Sequence, residues 1–277
     1  MKRKSKDATP FVKYLFIKWW DILFTDITRL LPCIIRWFYQ LKIKRNIRPF
    51  RIEHPSGKKA MLYQHGGWNS KQSEAKTVLI LHGLYSHPCV MLHLAKQAQE
   101  INEGPVFTLN LSYDKENFLT HRSLIKQALD TIESMALNYA ISLKGIILAG
   151  HSLGAVEAVH AAFVDKDRRI LSVISIAGRL KAVESIHSPC RESLRPSLDE
   201  IYKKIQLLPS IPLYQIVGRH DWNAPLEATL IRKEKHCSYI IEAMHFNILF
   251  HRDMSIKFSE YLTKSLSSPA AHKPDCN

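Results

Sequence analysis

Hydrophobic positions along this chain follow two different patterns. From Phe11 to Lys42 they are dense and return at helical spacing. Set at 100° per residue, Lys18, Asp21, Thr25, Thr28, Arg29, Arg36 and Gln40 fall on one side. Phe16, Ile17, Trp19, Trp20, Leu23, Phe24, Ile27, Leu30, Leu31, Ile34, Ile35, Trp37 and Phe38 fall on the other. That is an amphipathic helix with a broad apolar face, kinked or divided at Pro32. Charges interrupt it at Lys13, Lys18, Asp21, Asp26, Arg29 and Arg36. No uncharged run therefore approaches the roughly 20 residues of a membrane-spanning helix. Lys18 and Asp21 inside the apolar part, with no small-residue cleavage site after it, also fit a signal peptide poorly.

From Phe50 the pattern changes to short apolar runs between helical stretches. Residues 50–54 and 59–65 read as a hairpin around Pro55-Ser56-Gly57. Strands are predicted at 77–83, 106–112, 145–150, 170–178, 212–218 and 239–244, and helices at 89–100, 121–140, 153–164 and 254–266. TVLILHG (77–83) and GIILAG (145–150) are continuous apolar runs, as expected of strands buried on both faces. Strands alternating with helices after one hairpin predict an α/β fold, with a mostly parallel sheet covered by helices on both faces. In such sheets the chemistry collects at the carboxyl ends of the strands.

Charge changes the picture at one end only. The chain of 277 residues carries a net charge of +14. Residues 1–60 hold 15 lysines and arginines against four acids, while residues 61–277 are nearly balanced. The division expected is a basic amphipathic arm over 1–46 and an α/β body over 47–277. Trp and Phe beside Lys and Arg suit a helix lying in a membrane interface. The basic run Lys42, Lys44, Arg45, Arg48, Arg51 would then meet lipid phosphates. Packing of the same face on the protein's own core is the competing reading. Nucleic acid is not expected, since no recognisable binding motif accompanies the charge. Five cysteines without a CxxC pair argue against a disulfide framework or a cysteine zinc site. No metal-ligand spacing appears among the fourteen histidines, and no cofactor motif is present.

The residues after the predicted strands carry the chemistry. Gly150-x-Ser152-x-Gly154 joins a buried strand to a helix rich in alanine (Ala155, Ala158, Ala161, Ala162). A serine there must adopt a strained backbone, with small neighbours letting strand and helix approach. In these motifs the chain resembles the α/β-hydrolase superfamily, in its lipase and esterase branch, over roughly residues 50–266. GHSLGA (150–155) is similar to that family's nucleophile elbow, and LILHGLYSHP (79–88) to its oxyanion loop. GRHDWNAP (218–225) is similar to the segment bearing its acid, and EAMHFNILF (242–250) to that bearing its histidine, with Met244 where glycine is frequent. Four of only ten glycines (Gly83, Gly150, Gly154, Gly218) fall in these motifs, where tight turns need them.

The resemblance implies an α/β-hydrolase fold with Ser152 as nucleophile, His245 as base and Asp221 as the acid orienting it. It implies an oxyanion hole from the backbone N–H groups of Leu84 and Leu153. Glu227 is a rival for the acid, and His236 and His251 are rivals for the base. His151 and His220 would orient or pack, and His82 would be structural. A short cap is expected over about 179–211, with a helix at Ser197–Leu207. The function expected is a serine hydrolase cleaving carboxylic ester or thioester bonds of lipid-like substrates. An anionic membrane surface is the expected partner, and the location peripheral membrane or cytoplasm. Acyl transfer through the same residues stays open. So does a catalytically silent, membrane-associated interaction protein, which a missing triad member would have favoured.

Overall fold

The computed structural model describes residues 47–53, 57, 59–69, 71–84, 86–111, 118–165, 168–181, 203, 211–231 and 236–267. The arm over 1–46, and the cap with its helix apart from residues 179–181, 203 and 211, lie outside the described residues.

Eight strands form one sheet among the described residues. They are β1 (Ile47–Glu53), β2 (Lys59–His65), β3 (Glu74–Leu81), β4 (Val106–Asn110), β5 (Ser142–His151), β6 (Ile170–Ile176), β7 (Leu213–Gly218) and β8 (His236–Ile241). The helices are α1 (Leu92–Ile101), α2 (Phe118–Asn138), α3 (Leu153–Val164), the single turn α4 (Leu226–Thr229) and α5 (Arg252–Ser267). The sheet runs β1-β2-β4-β3-β5-β6-β7-β8. β1 and β2 pair antiparallel, as does β2 with β4, and the other neighbours are parallel. β1 lies at one edge, where Pro49 is tolerated because it need not donate to a second neighbour.

The period-2 alternation of the strands sorts the core into two layers. Leu79 and Leu81 of β3, Phe107 and Leu109 of β4, and Ile146 and Leu148 of β5 share a cluster with Leu124, Ile125 and Ile132 of α2 and Val156 of α3. Val78 and Ile80, Val106, and Ile147 and Ala149 face the other way, toward Leu94 and Ala98 of α1 and Phe258 and Leu262 of α5. Every residue of β6 and β7 is buried, including the polar Ser172, Ser175 and Gln215 that interrupt their apolar runs.

Two boundaries differ from the sequence pattern for physical reasons. β8 ends at Ile241 rather than Met244, because its partner β7 ends at Gly218 and the pairing stops at Gly218–Ile241. β3 begins earlier than the apolar run, at Glu74, whose carboxylate meets Lys144 at 2.6 Å at the start of β5. The chain leaves β3 toward β4 on one side, whereas the connection from β4 crosses back to β5 on the other. A crevice is expected where connections diverge in this way, at the carboxyl ends of β3 and β5.

Candidate active site

At the end of β5 the chain turns sharply into α3. Ser152 forms that turn with φ 55 and ψ −122, a backbone that costs a non-glycine residue about 1–3 kcal/mol. Its N–H donates to the Ile176 carbonyl of β6 at 2.9 Å, which ties the strained residue to the sheet. The glycines are required by close approach. A Cβ on Gly150 would collide with the Gly154 carbonyl, and one on Gly154 with the carbonyls of Leu81 and His82. A Cβ on Gly83 would lie 3.0 Å from Ser152 Cβ, so the loop after β3 packs directly behind Ser152.

Three side chains from distant parts of the chain converge here. Ser152 Oγ lies 2.8 Å from Nε2 of His245, and Nδ1 of His245 lies 2.7 Å from Oδ2 of Asp221. The acceptor-only carboxylate places the ring hydrogen on Nδ1 and leaves Nε2 to accept from the Ser152 hydroxyl. Asp221 and His245 are 3% and 4% exposed, so the pair works with little solvent screening. Asp221 Oδ1 accepts from the backbone N–H groups of Asn223 at 2.9 Å and Ala224 at 2.8 Å, which fixes the carboxylate plane. Phe246 closes over the imidazole edge-on, at 5.1 Å between rings.

The segments bearing Asp221 and His245 are also joined to each other. The Arg219 N–H donates to Ile241 O at 2.8 Å and the His220 N–H to Ala243 O at 3.1 Å. The side chains of Arg219 and His220 both bind the exposed carboxylate of Glu242. These contacts hold Glu242 below the ordinary carboxyl range, the Arg219 bond first.

His82 is buried beneath the loop after β3. Its Nε2 accepts from the Leu111 N–H at 3.1 Å, and its Nδ1–H donates to Gly83 O at 2.8 Å. Burial pushes its pKa down to about 4, so the ring is neutral and braces the loop rather than transferring protons. Leu153 opens α3, where a first-turn N–H lacks an intrahelical acceptor. Leu84 follows Gly83 directly and is half-buried.

The rivals are placed elsewhere. Glu227 is exposed on α4. Nδ1 of His251 accepts from the Asp253 N–H at 3.2 Å, at the start of α5. His236 begins β8, and its side chain lies outside the described residues. One feature went unread in the sequence. Glu157, wholly buried in α3, has its Oε1 3.5 Å from Nδ1 of His121 in α2. Burial raises its pKa, with His121 and Arg122 opposing the shift. A lone glutamate inside LGAVEAVHAAFV was the available signal.

No protein-family model matches this chain, and no curated protein matches it in sequence. Solved structures do. The thermophilic carboxylesterase EstE1, cloned from a metagenomic library, superposes with a TM-score of 0.64 at 12% identity, over 88% of this chain and 97% of that one. The chain has the α/β-hydrolase fold. An esterase from Pyrobaculum calidifontis matches at 0.59 and 13% identity, over 96% of this chain and 100% of its own. Est1E from Butyrivibrio proteoclasticus matches at 0.61 and 14%, over 79% of this chain and 99% of its own. At such identities the fold is what is shared. Among the described residues no helix is long and apolar enough to cross a membrane.

Proposed function

We propose that this protein is a serine hydrolase that cleaves carboxylic ester or thioester bonds of lipid-like substrates at a membrane surface. The observation that carries the reading is the continuous relay from Asp221 through His245 to Ser152, with bonds of 2.7 and 2.8 Å. In this reading Ser152 Oγ bonds to the acyl carbon while its proton passes to Nε2 of His245. Asp221 stabilises the imidazolium that forms, and the N–H groups of Leu153 and Leu84 receive the oxyanion. The ester bond then breaks, and the departing alcohol or thiol takes the proton from His245. Water gives a proton to the same nitrogen and attacks the acyl-serine; the bond to Ser152 Oγ then breaks, His245 returns the proton to Oγ, and the acid leaves.

The membrane part of the proposal rests on the arm, with its 15 lysines and arginines against four acids over residues 1–60 and its aromatic face. The full-length protein should hydrolyse p-nitrophenyl butyrate and sediment with vesicles containing phosphatidylserine. Binding should weaken with salt, since each basic residue near the surface contributes about 1 kcal/mol, and a salt-resistant fraction should persist from the apolar face. A chain beginning at Asn46 should lose the vesicles and keep the esterase activity. If that shorter chain is insoluble or inactive, the apolar face packs on the body and the membrane reading fails.

A further inference from the structure

We infer that His151 is a positioning residue, whose Nε2–H bond to the backbone carbonyl of His245 and packing against Gly83 hold the base loop and the oxyanion loop in register with Ser152. The inference rests on the hydrolase reading proposed above.

His151 ends β5 and is 1% exposed. Alternation along β5 puts it on the same face as Ile147 and Ala149, the face of the layer that includes Ile248, Leu249 and α5. The loop leading from β8 to α5 crosses that face, and it carries His245. Nε2 of His151 lies 2.8 Å from the His245 carbonyl oxygen. A carbonyl only accepts, so Nε2 carries the hydrogen. The two rings are 5.0 Å apart. On the other side, a Cβ at Gly83 would fall 3.2 Å from Nδ1 of His151, so the oxyanion loop rests on the same ring.

This bond does something the bond to Asp221 cannot. Asp221 fixes the rotation and tautomer of the imidazole. The His151 bond fixes the peptide from which that imidazole springs, and so its distance from Ser152. Burial, and then the neighbouring His245, push the pKa of His151 down to about 3. The ring thus places no like charge beside His245 when that residue takes the serine proton.

The test compares full-length His151→Gln, His151→Asn and His151→Leu. A glutamine amide nitrogen reaches about as far as Nε2, an asparagine amide stops short, and leucine has no donor. Leu and Asn should lower kcat on p-nitrophenyl butyrate on the order of 100-fold, the cost of displacing a reacting group by about 1 Å. KM should change by less than about twofold, because the lost bond positions His245 and is not a contact to bound substrate. His151→Gln should recover most of the rate. Wild-type kcat in the Leu or Asn variant, or a Gln variant as slow as they are at equal melting temperature, overturns the inference. If Leu alone fails to fold, Asn against Gln decides. Failure of all three to fold also overturns it, by making His151 a packing residue. Turnover by Ser152→Ala would instead sink the hydrolase reading itself, whatever the His151 variants do.

Discussion

The turn that carries Ser152 and the loop that carries His245 are fixed in different ways. The elbow is fixed by backbone. Gly150 and Gly154 meet main-chain carbonyls where no Cβ fits, and Ser152 accepts a positive φ between them. The loop that carries His245 contains no glycine, and its fit depends on side chains that arrive from far away in sequence: Asp221, Ser152 and His151. A backbone constraint leaves a spacing in the sequence, whereas a side-chain contact leaves only a residue type.

The comparison predicts different failures. His245→Ala should remove activity without unfolding the protein, lowering kcat on the order of 10,000-fold or more. Asp221→Asn should cost roughly 10,000-fold, because the Nδ1 hydrogen loses its acceptor and the tautomer is no longer held. His251→Ala and Glu227→Gln should change ester turnover little, since one ring lies against the start of α5 and the other carboxylate is exposed. Steady-state kinetics on purified variants checks the ordering, and a larger loss in either of the last two would mean the acid or base is misassigned.

The elbow should fail the other way, with activity and stability lost together. Gly154→Ala drives a Cβ into the carbonyls of Leu81 and His82, which cannot rotate aside. Overpacking of this kind costs about 1–3 kcal/mol, and the displaced segment is the one leading into the loop after β3. Denaturant unfolding beside an esterase assay would detect it. A fully stable but inactive Gly154→Ala protein would mean that the elbow tolerates the extra carbon.

This contrast also explains how much could be read from the sequence. β5 was legible because burial on both faces leaves the unbroken apolar run GIILAG, and β6 and β7 because only Ser172, Ser175 and Gln215 interrupt theirs. α3 was legible because the elbow sets its first residue. The three side chains that converge were legible unevenly. Ser152 stood alone in its motif, while His245 had to be separated from His236 and His251 by its place after a strand. The end of β8 was not legible, because it is set by the length of β7. The Glu157–His121 contact was not legible either, because it exists only once α2 packs on α3.

That buried pair gives the smallest expected effect. The Glu157 pKa is raised by burial above its ordinary 4.5, so the folded protein holds this proton more tightly than the unfolded chain. Its contribution to stability is therefore most favourable below pH 4.5 and declines as pH rises from there toward the folded value. Glu157→Gln removes that decline. The variant should melt higher than wild type at pH 8 and about equally at pH 4. A lower melting temperature at pH 8 would mean that the charged carboxylate is stabilised by His121 and Arg122 more than burial penalises it.

The central claim is that Ser152 is an activated nucleophile. Its most direct test is covalent capture of the full-length protein with a fluorophosphonate probe, followed by peptide mass spectrometry. The account predicts one adduct, on Ser152, absent in Ser152→Ala and formed far more slowly in His245→Ala. A folded wild-type protein that takes no label, or takes it at another residue, would contradict the account.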